Sequence, residues 1–268
     1  MFPQAGVAYR LSGALAVVSA AGAIVTFFVP RILTGPAAMN GSARGTALVV
    51  LVLAVPLLVW SMWAASRGSA SAVIAWLGAV AYLLYNGLMF VFATPFNRLF
   101  LVYVAMLSLS IWTVIALLPR IDAGAIAHWS MPVRTIAVYV WVIVALNLTV
   151  WLAAIVPALF AQTPAALLEG TGLTTNPVYV QDLAFWLPLM AVVGVWLWQR
   201  RPWGFLIAGS VLTMWVLESA GVAVDQWFGH SADPASPVAS ATMVWVFAAL
   251  AVIGCVPLFF FYRKAEKP

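Results

Sequence analysis

Eight uninterrupted apolar segments, each about 20 residues or longer, constrain this chain more than any other feature of its sequence. At 1.5 Å rise per residue, about 20 residues cross the roughly 30 Å hydrocarbon layer of a bilayer as a helix. The segments lie at about 10–30, 46–65, 71–93, 99–119, 135–160, 178–199, 203–224 and 238–262. With 65% hydrophobic and 7% charged residues, the chain cannot clothe an apolar core in a polar surface. It reads as an all-α, polytopic transmembrane bundle forming one integral membrane domain over residues 1–268. A β-barrel is excluded, because its strands alternate in hydrophobicity and these runs do not.

The placement of the few charges sets the orientation. With both termini cytoplasmic, Arg10, Arg67, Arg120, Arg134, Arg200, Arg201, Arg263, Lys264 and Lys267 fall inside, against Arg31, Arg44 and Arg98 outside. That asymmetry follows the positive-inside rule and places the chain in a bacterial plasma membrane. Cations spread between spans in this way argue against nucleic-acid binding, although the net charge is +5. The acids divide oppositely: Asp122 and Glu266 inside, and Glu169, Asp182, Glu218, Asp225 and Asp233 toward the outer side. Arg10 precedes a full-length apolar run that ends in Pro30-Arg31, so the first segment reads as a permanent span rather than a cleaved signal. The breaks between spans are too short to bury a core of their own, although Ala165 to Leu168 could form a short interfacial helix in the outer loop.

The pattern Pro56, Trp60, Trp63, Arg67, Trp76, Tyr85-Asn86 returns loosely as Pro188, Trp196, Trp198, Arg200, Trp203, Glu218. Four spans separate the two, so a duplication would give 4+4 parallel repeats with Asn86 and Glu218 at matching depths.

Glu218 is the sharpest exception to the apolar background. A carboxylate inside a span costs a few kcal/mol on insertion scales, so it requires protein or water around it, a partner, or a proton. Asp225 follows seven residues later on the same helical face. Asp182 enters the sixth span ahead of Pro188, which frees a backbone carbonyl; the bland alternative is a helix cap followed by a kink. Arg98, after the tight turn Thr94-Pro95-Phe96-Asn97, is the outer cation close enough to pair with Asp182, Glu218 or Asp225. Ser108, Ser110 and Asn147 read as interhelical hydrogen-bonding groups, and Ser12, Ala16 and Ala20 as a close-packing stripe.

Other chemistries lack their residues. Cys255 is the single cysteine and reads as packing. His128, beside Trp129, and His230, near Asp233, have no second histidine at ligand spacing, so no metal is expected; a mixed outer site from His230, Asp225 and Asp233 is the nearest approach to one. There is no HExxH, GxSxG, Walker or GxGxxG sequence and no lysine within a span for a retinal Schiff base, so no cofactor is expected. Asn40-Gly41-Ser42 matches a glycosylation sequon, which has no meaning in the high-GC bacterium that the Arg- and Ala-rich composition suggests.

The stretch from Tyr85-Asn86 through Thr94-Pro95-Phe96-Asn97-Arg98-Leu99-Phe100-Leu101 to Ser108 and Ser110 carries a resemblance, together with Asn176-Pro177, Asp182 to Pro188, and Arg200-Arg201-Pro202-Trp203-Gly204. It resembles a group of uncharacterised bacterial, actinobacterial multi-pass membrane proteins. The resemblance spans most of the chain and implies no activity, so no residue role comes with it.

Three functions fit this sequence. The first is outward-facing transport or binding of a small cationic or amphiphilic solute, lined by Asn86, Arg98, Asp182, Glu218 and Asp225, with Glu218 as the switchable group. The second is an intramembrane enzyme acting on a lipid or lipid-linked substrate, with Asp182 and either Glu218 or Asp225 as acid and base. The third is a noncatalytic subunit of an envelope complex. Partners beyond the lipid bilayer would be such a ligand, a second copy of the chain or that complex.

Overall fold

A computed structural model describes residues 6–124, 131–161 and 166–264, with side chains as far as Tyr262. His128, Trp129, Ala165, Glu266 and Lys267 lie outside the described residues. Among the described residues, eight helices are long and apolar enough to span a membrane: α1 Gly6–Phe28, α2 Ala37–Ser66, α3 Ala70–Phe92, α4 Phe100–Arg120, α5 Val133–Phe160, α6 Pro177–Trp198, α7 Pro202–Ala232 and α8 Ala241–Tyr262. No strand occurs among the described residues. The all-α polytopic bundle expected from the apolar runs is therefore the observed architecture.

Two helices extend well beyond their apolar runs. Helix α2 begins at Ala37, so Asn40, Gly41, Arg44 and Gly45 are helical rather than part of a loop. Its glycines serve contact: a Cβ at Gly45 would lie 2.7 Å from the Asp225 Cα of α7. Helix α7 continues to Ala232, which brings Asp225 and His230 into the helix. A hydropathy boundary misses both extensions, because polar residues that face a neighbouring helix look like loop residues. In the loop between α5 and α6, the described residues include one 3₁₀ turn, Ala166–Leu168.

The core is built on α3 and α7, the two most buried spans. Trp76, Tyr82 and Phe205 are fully enclosed there. Helix α3 packs on α2 and α4, α7 on α6 and α8, and α3 and α7 on each other. Helix α1 lies against α2 and α4, where Thr26 and Tyr103 share a hydrogen bond of 2.8 Å, and Trp76 Nε1 of α3 reaches it to donate to Ser12 Oγ at 2.8 Å. Ser12 and Ala16 are thus buried as a packing stripe, with Ser19 and Ala23 completing it and Ala20 only half-buried.

The loose echo in the sequence is an exact spacing in the fold. Asn86 and Glu218, 132 positions apart, bond to each other across the α3–α7 contact. The same spacing separates the last residues of α2 and α6, the first residues of α3 and α7, and the last residues of α1 and α5. It also separates the two residues that reverse the chain in a left-handed conformation, Gly68 (φ 91°) and Arg200 (φ 55°). Each of α2 and α6 carries one π turn, Val50–Ala54 and Asp182–Trp186, again at that spacing.

The π turns have a common cause in Pro56 and Pro188. Proline has no N–H for the carbonyl four residues before it, Val52 or Ala184, and its ring crowds that carbonyl. The helix widens for one turn, so that Val55 N–H bonds to Val50 O and Leu187 N–H to Asp182 O. Side-chain burial keeps the same register: Leu58 and Met190, Ser61 and Val193, and Ala65 and Leu197 are buried pairs. The halves are parallel repeats about a local two-fold axis running between α3 and α7, where Gly78 meets the Ser210 carbonyl and Asn86 meets Glu218.

The repeats diverge in how tightly they close. Helix α2 lies along α7 through Gly41 and Gly45, whereas the equivalent pair, α6 and α3, touches far less. Leu173 and Pro177 stand where those glycines would be. Helix α5 packs mainly on α6, leaving most of its surface to lipid. Gly45→Ala is therefore expected to lower the thermal unfolding midpoint in detergent, equivalent to about 1–3 kcal/mol of overpacking. Gly13→Ala is the control, since nothing lies within 4 Å of its added Cβ, and it should leave the midpoint unchanged or raised.

Candidate functional site

Three of the chain's acids meet in one half of the bundle, the half closed by the Thr94–Leu99 turn. Tyr82, Tyr85 and Asn86 stand at i, i+3 and i+4 on α3 and so share one face. Asn86 is buried and donates from Nδ2 to Glu218 Oε2 at 2.9 Å and to the Tyr82 carbonyl at 3.2 Å. The repeat axis brings Asn86 and Glu218 together, since equivalent positions on a two-fold axis face each other.

Asp182 occupies the first position of the α6 π turn. It does not cap the helix; Asn176 does, its Oδ1 accepting from Val178 N at 3.0 Å. The Asp182 carboxylate instead accepts from Trp151 Nε1 of α5 at 2.9 Å. Trp151 in turn packs on Tyr179, 4.5 Å away, and Tyr85 lies 6.1 Å from Trp186, centroid to centroid. Beside it the Gln181 Nε2 amide is buried without a partner.

Asp225 lies at the α2–α7 crossing, where Gln226 Nε2 donates to Oδ1 at 3.2 Å and Ser42 Oγ to its main-chain carbonyl at 3.2 Å. Tyr82 links it to Glu218 spatially. The Tyr82 ring is fully buried, its hydroxyl has no partner, and a Cβ at Gly221 would lie 2.9 Å from that oxygen. Gly221 is three residues after Glu218 and four before Asp225, so the hydroxyl meets α7 at a level between the two acids' positions.

All three carboxylates are half-buried. Their hydrogen-bonding partners are neutral: Asn86, Trp151 and Gln226. Arg98 does not join them. It is exposed in the turn between α3 and α4, whose shape comes from Asn97, with Oδ1 accepting from Leu99 N and Nδ2 donating to the Pro95 carbonyl.

Two cavities flank the start of α6. One, of about 540 Å³, is lined by Met39 of α2, Leu88 and Phe92 of α3, the Thr171–Thr175 segment and Val180. The other, of about 490 Å³, lies between α5 and α6 against Ile155, Leu159, Leu168, Tyr179 and Leu183. Both are within the size range of small-molecule sites and both are mainly apolar. None of Asn86, Arg98, Asp182, Glu218 or Asp225 lines either, but Tyr179, Val180 and Leu183 put Asp182 within one helical turn of both.

The remaining polar groups have local roles. Ser110 and Asn147 donate to Met106 and Ile143 of their own helices, and Ser108 is exposed. The interhelical bonds expected of them are not made, because a carbonyl one turn back is the nearer acceptor. No group of three or more metal-ligating side chains occurs among the described residues. Sequence reasoning passed over Trp151 and Tyr82 as site residues. Trp151 carried a faint signal as a tryptophan deep in a span, away from the interfacial belt.

No protein-family model, no curated protein and no solved structure matches this chain. The polar layer must therefore be read from its own chemistry. A double-mutant cycle on Asn86→Ala and Glu218→Ala should return a coupling energy of about 0.5–1.5 kcal/mol, the range of hydrogen bonds between membrane helices. Strictly additive losses of stability would contradict a direct bond.

Proposed function

We propose that this multi-pass membrane protein binds and transports a small cationic or amphiphilic solute, through a site in the outer half of the bundle centred on Asp182. The observation that carries this reading is a carboxylate with only neutral hydrogen-bonding partners, set among aromatic rings and next to two apolar cavities. A carboxylate at membrane depth without a cation is an incomplete ion pair, and a cationic solute completes it. Ring faces add attraction for an organic ammonium, and the cavities accept its apolar part.

The outward direction follows from the arginine-rich loops, which set both termini in the cytoplasm and the Thr94–Leu99 turn outside. Glu218 and Asp225 add negative potential behind Asp182. Each carboxylate has a partner of its own, which weighs against a shared acid–base pair and so against the enzyme reading.

In proteoliposomes the wild-type protein is expected to bind and take up hydrophobic organic cations. Asp182→Asn should weaken binding roughly tenfold or more, equivalent to about 1.4 kcal/mol, with expression and unfolding midpoint retained. Undiminished uptake in this variant would remove Asp182 from the site.

A further inference from the structure

The cavity between α5 and α6 has a counterpart in the first repeat, and there the space is closed. At the repeat spacing of 132 residues, its walls Ile155, Ala158 and Tyr179 answer to Ala23, Thr26 and Ala47, all of them buried. Trp151 answers to Ser19, which is buried as well. Small residues at these positions let α1 pack along α2 from the first turns of α2 onward. Arg44 then fastens the two helices: its Nε donates to the Phe27 carbonyl at 3.1 Å, and its guanidinium lies 5.5 Å from the centre of the Phe27 ring.

The second repeat makes neither closure. Asn176 stands in place of Arg44 and caps its own helix, and Leu159, in place of Phe27, is 72% exposed. Trp151 and Tyr179, with ring centroids 4.5 Å apart, occupy the positions of Ser19 and Ala47 and hold the helices apart. Accordingly, α5 packs on Leu187–Trp198 of α6 and little on residues 177–186. What remains is a cleft of about 490 Å³ with aliphatic walls, and Leu159 and Val180 at its lips are exposed toward lipid. Its inner end is joined to Asp182: the wall residue Tyr179 packs on Trp151, and Trp151 Nε1 donates to the carboxylate at 2.9 Å.

We propose that this cleft is a lateral port: a cationic amphiphile enters it from the surrounding lipid, its alkyl chain stays in the cleft and its ammonium group lies against Asp182. The proposal rests on the cation-binding reading above and narrows the ligand to an amphiphile drawn from the bilayer. The charge of the headgroup follows from Asp182, since a cation completes the pair that an anionic lipid would oppose. The alkyl chain follows from the walls, which are as apolar as lipid, so that a chain moves between the two at little cost. Tyr179 and Trp151 stand between the cleft and the carboxylate, and their ring faces attract an ammonium group on its way.

The test uses the full-length protein in phosphatidylcholine nanodiscs and a dodecyltrimethylammonium analogue with a diazirine at mid-chain. Labelling by light is mapped by mass spectrometry, and binding of unlabelled cations is measured by their competition with the label. Labels are expected on residues 155–159 of α5 and 179–184 of α6, displaced by excess dodecyltrimethylammonium and not by tetramethylammonium. Filling the cleft from either wall, by Ala158→Trp or Ala184→Trp, should weaken binding about tenfold or more with the unfolding midpoint retained. Ala153→Trp, on the exposed side of α5 away from the cleft, should leave binding unchanged. Labelling confined to Leu88, Phe92 or the Thr171–Thr175 segment, or binding that survives both cleft-filling variants, overturns the port while leaving the cation site standing. Displacement by tetramethylammonium as strong as by dodecyltrimethylammonium does the same, since it shows a site that needs no chain. Labelling that no cation displaces, or that Asp182→Asn leaves undiminished, overturns both.

Discussion

The contact between α3 and α7 is the constraint from which the rest of the structure follows. Two parallel helices from equivalent halves of the chain meet on a local two-fold axis, close enough that Gly78 lies against the Ser210 carbonyl. Any polar residue at the matching depth in either half must then face its counterpart. Asn86 and Glu218 are that pair, and their 2.9 Å bond lets a carboxyl group sit where hydrocarbon would otherwise surround it.

Duplication makes a symmetric frame, and the site comes from breaking the symmetry. The counterparts of Asp182, Tyr82 and Tyr85 at the repeat spacing are Val50, Met214 and Leu217, all apolar. Polar groups therefore differ between the two equivalent contacts: Asp182 and Tyr85 stand where α3 faces α6, and Ser42, Asp225 and Gln226 where α2 faces α7. Packing diverges along the same line: glycines draw α2 onto α7, while α6 stands off from α3 and leaves cavities beside its first turns. The π turn, kept in both halves, gains a carboxylate only in the second. One turn of helix thus combines a carboxylate with the Ala184 carbonyl that Pro188 leaves without its usual donor.

The spans were legible in the sequence because hydropathy over about 20 residues reports a single physical requirement, the crossing of hydrocarbon. Glu218 and its match with Asn86 were legible for a related reason, since an acid in an apolar run has few explanations. The ends of α2 and α7 were not, because Asn40, Gly45 and Asp225 face a helix that no local pattern announces. The Asp182 environment was only half visible. Its depth and the nearby Pro188 could be read, but Trp151 reaches it from α5, 31 residues away, and pairings between spans leave no periodic trace. Arg98 shows the opposite error: proximity in the membrane was inferred from depth alone, and the turn directs it outward.

The central claim is that the outer half of the bundle holds a cation against Asp182, between α3, α5 and α6. A density map of the protein with an iodinated organic cation tests it most directly, because iodine marks the ligand without reference to activity. The account predicts one strong peak beside the Asp182 carboxylate, within reach of Trp151 and Tyr179 and continuous with a cavity at the start of α6. A peak elsewhere in the bundle, with Asp182 still bonded to Trp151, would contradict it.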